Sequence, residues 1–561
     1  MRALLDEPQG PRPPEPISPA LARGVLAVEE VLERLRPADS PAERRARALW
    51  ALLSLGGDEL EGVHPALREV AERVQREARE AGRDLDREII AGRYERIEGW
   101  VRGASSGAAA PPRTWTRRID AVLTHPLLGV AVFALVMYVL FEALFAWSEP
   151  LIGGIEAVVA AAQEATAAAL PAGPLTDLMV EGVLAGVGNV VVFVPQIALL
   201  FLFIAVLEDS GYLARVAFVI DRVMSGVGLH GKAFVPLLSG FACAVPAVMA
   251  TRTIESRRDR LVTMLALPLM SCSARLPVYA LVIAVVFPSG DRVGGVLSVG
   301  ALALFAMYAL SVGATLGAAA VMRRTVLKGP RPALVLELPP YRMPGARNLA
   351  HAVWTRVRSF LVDAGTLILA ITIVLWALLS FPRDEAVTAR YAELREQAAA
   401  LEEGAREERL RELDAGEAEE LLAHSAAGTL GRAIEPALEP LGFDWRIGVG
   451  LIGSFAAREV LVSTLGVVWG IGQGQDEESE PLRDALRDAR RADGTPLFTP
   501  LSGLALMVFF VLAAQCMSTL AVVRRESGSW RWPLFMVGYM TALAYLGALA
   551  TYQLGSAMGF T

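Results

Sequence analysis

Apolar runs of roughly 20 residues, the length that lets a helix cross a bilayer, recur at residues 127–147, 184–206, 261–287, 294–322, 359–381, 499–522 and 531–555. They predict seven spanning helices. Shorter or broken apolar pieces lie at 212–226, 233–250 and 447–471. The pattern leaves 212–226 open between a full crossing and a surface piece, and with it the side of the C-terminus. Residues 1–102 read differently. After the Pro-rich "PQGPRPPEPISP", the stretch "ALREVAERVQREAREAGRDLDREIIAGRYERIEGWV" repeats its apolar positions at helical spacing, which predicts a small soluble helical domain. "RGASSGAAAPPR", residues 102–113, has linker composition.

Two of the apolar regions are interrupted. "LALPLMSCSARLPVYALVIAVVF", residues 265–287, carries Ser271, Cys272, Ser273 and Arg275 inside a run long enough to span. A charge at bilayer depth costs at least ~2.5 kcal/mol, so the run needs a water-filled or protein-lined surrounding. In "LLSGFACAVPAVMATR" Gly240 and Pro246 break the helix next to Cys243, and broken backbone is tolerated at depth only where it packs on protein or lines a cavity. A faint repeat relates these to a later region: "SGFACAV" from Ser239 aligns with "GSFAARE" from Gly453, and "MSCSA" from Met270 with "AQCMS" from Ala514. Phe241 then matches Phe455, and Cys272 matches Cys516. The spacing grows from 29 residues, Cys243 to Cys272, to 59, Ala457 to Cys516, through a charged insertion near 473–498.

Charge sets the orientation. Arg113, Arg117 and Arg118 flank the first run, and the loop 323–358 has eight Lys/Arg against the single acid Glu337, so both are expected on the cytoplasmic side. Arg252, Arg257, Arg258 and Arg260 put the first repeat's connecting loop inside, and Arg524 with Arg525 put the far end of the second repeat inside. The two units are therefore inverted with respect to each other, the arrangement that marks a transport site near the midplane. Residues 382–446 carry eight Arg and sixteen Asp/Glu after an odd crossing, and are expected outside as a charged helical hairpin. The chain's 54% hydrophobic and 20% charged content exclude an ordinary soluble protein. The net charge of −7 says little, because the signs are segregated by region. No apolar segment follows a basic start within the first 110 residues, so no cleaved signal is expected.

The candidate chemistry is sulfur. Three cysteines, Cys243, Cys272 and Cys516, lie far apart in apolar segments, either as buried small hydrophobes or as soft ligands. Each stands beside a helix break or polar cluster, which favours the second reading. Thiolate and thioether donors suit Cu(I), Zn(II) or Fe(II) rather than Mg or Ca. Met270, Ser271, Ser273, Met517 and Ser518 would add weak donors, and several weak sites let an ion leave again. Arg275 would neutralise an anion or brace the break, with Glu459 or Asp209 as partners. Glu208 and Asp209 follow directly on an apolar span, as a vestibule or simply a solvated helix end. Arg458 and Glu459 replace the second unit's cysteine position with charge and read as an internal ion pair or a metal contact. "GVGLHGKA" resembles a phosphate-binding loop, but Ala233 stands where Ser or Thr must reach Mg²⁺ and no strand precedes it. His64, His125, His230, His351 and His424 are scattered, and no catalytic arrangement is present, so a transporter rather than an enzyme is expected.

The text "VFVPQIALLFLFIAVLEDSGYLARVAFVIDRVMSGVGLHGKAFVPLLSGFACAVPAVMATRTIESRRDRLVTMLALPLMSCSARLPVYALVIAVVFP", with "FAAREVLVSTLG" and "QCMSTLAVVRRE", resembles the ferrous iron transporter FeoB family over roughly residues 120–560. The stretch from about 20 to 100, with "AGRYERI", resembles the helical domain that follows this family's GTPase domain. The resemblance implies an all-α, polytopic membrane protein with two inverted gate-like repeats and a small cytosolic helical domain. Its parts are 1–102, the cytosolic domain; 103–118, linker and basic flank; 119–232, first membrane helices; 233–287, gate unit 1; 288–381, further membrane helices; 382–446, an extracytoplasmic charged insertion; 447–522, gate unit 2; and 523–561, a C-terminal membrane helix. The family's membrane cysteines match Cys243, Cys272 and Cys516, so Fe²⁺ is the implied transported ion, with no covalently bound cofactor. The family's usual N-terminal G domain is not in this sequence, and is expected on a separate chain or lost by truncation. GTP is thus not assigned to this chain, and a GTPase is the implied partner, with membrane lipid, a homo-oligomer compatible and no nucleic acid. The implied location is the bacterial cytoplasmic membrane with a cytosolic N-terminus. A carrier of a nucleoside-like solute, or a non-transporting scaffold for a GTPase, remain the alternatives.

Overall fold

The computed structural model describes residues 18–53, 63–104, 114–125, 127–171, 173–226, 229, 231–254, 256–287, 292–293, 297–327, 340–398, 403–455, 458, 460–471, 478–491, 494–514 and 517–560. The chain divides into two compact units, Met1–Ala121 with Thr325–Glu337, and Val122–Arg324 with Leu338–Thr561.

The first unit is built on α1 (Pro19–Leu35), α2 (Pro41–Leu53), α3 (Pro65–Glu80) and α4 (Leu85–Ala104). The helix starts are capped by side chains. The Ser18 hydroxyl accepts from the Leu21 amide at 3.1 Å, and Ser40 and Glu43 cap α2 reciprocally, at 2.8 and 3.3 Å. Leu21, Val25, Val28 and Leu32 of α1 pack with Leu49, Leu52, Ala71, Val74 and Ile89 into one core. The i, i+4, i+7, i+11 spacing of the α1 residues is the apolar stripe of a surface helix. Helix α5 (Thr114–Leu123) follows.

The second unit is a polytopic helical membrane body; among the described residues seven helices are long and apolar enough to cross a bilayer. The apolar pattern predicts the first crossing at 127–147. Helix α6 (Leu128–Glu142) and the π turn that carries it on to Trp147 cover this run, and a further candidate span follows directly, α7 (Glu149–Ala169). Glu149, Glu156, Gln163 and Glu164 dilute the hydropathy of α7, which hides it from a run-based reading. Leu140 and Leu144 pack on Leu200, and Gln163 donates to the Val180 carbonyl at 3.1 Å. Thus α6 and α7 together run antiparallel to the stretch of α8 (Pro174–Asp177), a π segment, α9 (Ala185–Val191) and α10 (Val194–Asp209).

After α11 (Tyr212–Gly226) come two short helices, α12 (Phe234–Gly240) and α13 (Ala244–Ala250). Helix α14 (Arg257–Ala266), an irregular stretch and α15 (Leu276–Val286) then make one interrupted crossing. A two-residue ladder, β1 (Arg292–Val293) on β2 (Leu297–Ser298), leads into α16 (Val299–Thr325). The next crossing combines α17 (Ala346–Ser359), a π segment and α18 (Thr366–Ser380). Helices α19 (Glu385–Ala398) and α20 (Glu403–His424) form the expected charged hairpin, zipped by Arg390–Glu420, Arg395–Asp414 and Arg395–Glu417 pairs. Then follow α21 (Ala426–Leu438), α22 (Trp445–Gly453), α23 (Val460–Val468), α24 (Glu480–Asp488), α25 (Pro500–Leu512), α26 (Met517–Ser527) and α27 (Arg531–Ala557).

Polar contacts sort this unit into two ends. At the first end Arg356 lies 3.8 Å from Glu208, Arg252 clasps Glu526 at 2.8 and 2.5 Å, and Arg323 pairs with buried Asp259. At the second end Arg383 meets Asp177 at 2.6 Å, Trp376 Nε1 donates to Glu181 at 3.1 Å, and Arg487 donates to the Ala284 carbonyl at 2.8 Å. The hairpin α12–α13 enters from the first end, since α13 runs directly to Arg252. The hairpin α22–α23 enters from the second, where Trp469 packs on Phe498, 6.0 Å between ring centroids, just before α25. The interrupted pair α14–α15 runs from the first end to the second, and α25–α26 runs back. Helix α27 ends at the second end, where Gln553 donates to the Pro440 carbonyl at 2.7 Å. Helix α11 is not among the seven apolar candidates. It starts at the first end, and its fully buried Arg215 stacks 4.1 Å from the centroid of the Tyr341 ring.

A paired helix break as candidate functional site

Several backbone groups freed where α14 stops are given side-chain partners, as burial in a low-dielectric interior requires. A 3₁₀ turn at Leu267–Leu269 and an extended Met270 end the helix, Cys272 is extended too, and a second 3₁₀ turn at Ser273–Arg275 starts α15. The Arg275 side chain, fully buried, folds back over the break. It donates to the carbonyls of Met270 at 3.1 Å and of Leu269 and Pro268 at 3.3 Å. Most of these distances are long for hydrogen bonds, so the carbonyl dipoles of the helix C-terminus solvate the guanidinium as an ion. Ser311 on α16 serves both polarities, donating to the Leu269 carbonyl at 3.0 Å and accepting from the Ser271 amide at 2.7 Å. Tyr539 on α27 donates to the Leu265 carbonyl at 2.5 Å.

The hairpin tip of α12–α13 meets this break. Ser273 donates its hydroxyl to the Ala242 carbonyl at 3.0 Å, so the neighbours of Cys243 and Cys272 are tied together. Gly240 permits the approach: a Cβ there would stand 3.3 Å from the Met270 Cβ, tighter than ordinary contact. Phe241 stacks on Tyr308 of α16 at 6.1 Å between centroids.

The second unit repeats the pattern with different residues. Helix α25 stops at Leu512, and Arg458, 3% exposed, donates to the carbonyl of Ala513 at 3.0 Å and to that of Ala514. In the alignment of the two repeats these carbonyls are the counterparts of Leu269 and Met270, the pair held by Arg275. The hairpin tip is again tied to the break, here by the Met517 amide donating to the Phe455 carbonyl at 3.2 Å. Arg275 also reaches across to Ala513, at 3.4 Å. The two breaks therefore share one carbonyl oxygen.

The residues singled out in the sequence separate into groups. Cys272, Met270 and Ser271 are buried at the first break, and Cys243 is half-buried at the hairpin tip, leaning on the cluster of Leu140, Leu144 and Leu200. The Ser271 hydroxyl is engaged structurally, 3.3 Å from the Tyr279 hydroxyl and 3.5 Å from Arg275. Ser273 spends its proton on Ala242 and keeps its lone pairs. Cys516 and Glu459 lie outside the described residues, as do Ala457 and His230. Among the described residues no group of three or more His, Cys, Asp or Glu gathers as a metal cage. Of the two acids offered as partners of Arg275, Glu459 lies outside the described residues and Asp209 is corrected: it is exposed beside Glu208 at the first end, and the guanidinium takes carbonyls. Sequence reasoning missed Ser311, Tyr279 and Tyr539. The available signal for Ser311 was its pairing with Thr315 on one face of an otherwise apolar helix, both of them fully buried.

Comparison with known proteins agrees with this architecture. A family model described as "Nucleoside recognition", named Gate, matches residues 190–285 and 361–530, which hold both hairpins and both breaks. A second, "Ferrous iron transport protein B C terminus", matches residues 304–356. A protein of Leptospira biflexa called "Fe(2+) transporter FeoB" is 45% identical over 447 residues, 80% of this chain and 61% of that protein. A Porphyromonas gingivalis "Fe(2+) transport protein A/Fe(2+) transporter FeoB fusion protein" is 39% identical over 87% of this chain and 57% of its own length. A Staphylococcus aureus "Fe(2+) transporter FeoB" is 33% identical over 79% of this chain and 59% of its own. The chain thus spans about three fifths of the length of these curated relatives. No solved structure matches it.

Proposed function

The chain belongs to the FeoB family, and from that premise we propose that it is the permease portion of a ferrous iron importer in a bacterial cytoplasmic membrane. The observation that carries the reading is the meeting at mid-depth of two hairpins that enter from opposite ends, each tied to a crossing interrupted beside a matched cysteine position. Inverted, interrupted helices of this kind supply ion sites in secondary transporters.

In this reading Fe²⁺ is the cargo, and Cys243, Cys272 and Cys516 line its path with sulfur, suited to a borderline-soft cation. Ser273 and Met270 add weak donors. Arg275 and Arg458 do not bind the ion; they hold the carbonyl ends of α14 and α25, so that the breaks keep their shape as the hairpins move. Two buried polar atoms at the breaks, Arg275 Nε and Ser518 Oγ, have no hydrogen-bond partner among the described residues. The first end, with its arginines, is then cytoplasmic, the α19–α20 hairpin external, and the C-terminus external. GTP is handled by a domain outside these residues, and the first unit offers the surface on which that GTPase would act.

The test uses vesicles containing the purified full chain, loaded with an Fe²⁺-sensitive dye and, in parallel, offered a labelled nucleoside, with and without a G domain of the family supplied in trans. The proposal predicts Fe²⁺ entry and no nucleoside accumulation. Nucleoside entry without iron would instead favour an organic-solute carrier, the reading suggested by the description of the Gate model.

A further inference from the structure

Between α10, α13, α17 and α26 the second unit holds a shallow cleft. Its walls are apolar, formed by Ile197, Phe201, Met249 and Val522, and Arg356 and Arg525 stand among them. The Arg356 guanidinium lies 5.1 Å from the centroid of the Phe201 ring. Its neighbour Glu208 is 3.8 Å away, beyond the length of a charge-assisted hydrogen bond, so Arg356 retains donors for another anion. Arg525 is exposed at the mouth of the cleft, 3.6 Å from Glu526. Two guanidiniums repel a dication, which keeps this cleft off any cation path.

We infer that the cleft is a binding site for one anionic phospholipid, its phosphate on Arg356 and Arg525 and an acyl chain along Ile197 and Phe201. The chemistry is amphiphilic: positive charge at one end, hydrocarbon along the wall. Its placement fits a lipid, because Glu208 lies in the charged layer of the first end and Ile197 is eleven residues further along the same helix, a rise of about 16 Å into the apolar zone. Basic pockets between membrane helices are general sites for anionic headgroups. Because α13 belongs to the first hairpin and α26 to the second interrupted crossing, a lipid seated here bridges the two gate units. This inference does not depend on the identity of the cargo.

The experiment is native mass spectrometry of the full chain released from vesicles of equal phosphatidylglycerol and phosphatidylcholine. The wild type is expected to retain phosphatidylglycerol over phosphatidylcholine by roughly tenfold or more, the scale set by two surface arginines. R356Q/R525Q should reduce that ratio to near parity, R356K/R525K should keep most of it, and Met249→Trp, which fills the cleft with its charges intact, should also lose the adduct. Thermal midpoints of all variants identify any that fail to fold. Equal retention of both lipids by the wild type, or an unchanged ratio in a folded R356Q/R525Q, would overturn the inference. So would removal of the adduct by millimolar inorganic phosphate, which would make the cleft a site for a free anion.

Discussion

Arg275 and Arg458, far apart in sequence and bracing two different helix breaks, donate to the same carbonyl oxygen, that of Ala513, at 3.4 and 3.0 Å. Each also holds carbonyls at a helix end, so neither needs a carboxylate to be tolerated in the interior. Cutting a buried ion out of such a shell leaves several carbonyls without partners. Arg275→Met is therefore expected to lower stability by at least about 3 kcal/mol, read as the unfolding midpoint in detergent. Arg458→Lys, which keeps the charge and can reach one carbonyl, should lose less than Arg458→Met. A melting midpoint of Arg275→Met equal to wild type would show that the carbonyl contacts contribute nothing.

Ser311 bonds two backbone groups of the neighbouring crossing, whereas Thr315, one turn away, donates only to the Ser311 carbonyl of its own helix at 2.8 Å. Ser311→Ala should accordingly destabilise by about 1–3 kcal/mol, and Thr315→Ala by no more than about 0.5 kcal/mol. The same denaturation assay decides between them. If the two variants behave alike, Ser311 has no special part in bracing the break.

The first unit carries a pH dependence of known sign. The Arg83 guanidinium, 2.5 Å from Glu88, holds that carboxyl below its ordinary value, partial burial opposes this, and the Ser18 hydroxyl adds to it. A carboxyl depressed in the folded state contributes stability above its unfolded pKa, near 4.5, and loses it as pH falls through the folded value. Hydrogen exchange in the segment 83–89 of the intact chain should therefore accelerate as pH drops below 4.5, after correction for intrinsic exchange. Glu88→Gln should abolish the pH-dependent part and leave the rest.

Much of this was legible in the chain, and the reasons are physical. Long apolar runs must be helices in a bilayer, so the crossings could be read directly, except where glutamates thinned the hydropathy of α7. The interruption at 271–275 was visible because Arg275 has no business in hydrocarbon unless something receives it. What receives it was not visible, because carbonyl oxygens carry no letter in a sequence; a reader looks for an acid and finds Asp209, which the fold leaves exposed at the first end. Ser311 was hidden for a related reason: a serine one turn from Thr315 in an otherwise apolar helix reads as filler until the backbone it serves is placed beside it.

The central claim is that sulfur from the two breaks meets the transported ion, and X-ray absorption at the iron edge tests it without requiring transport. Purified full chain, loaded anaerobically with Fe²⁺, is predicted to show sulfur in the iron's coordination shell, weakened in Cys272→Ser and again in Cys243→Ser and Cys516→Ser. A shell of oxygen and nitrogen alone, unchanged by all three substitutions in folded protein, would contradict the account.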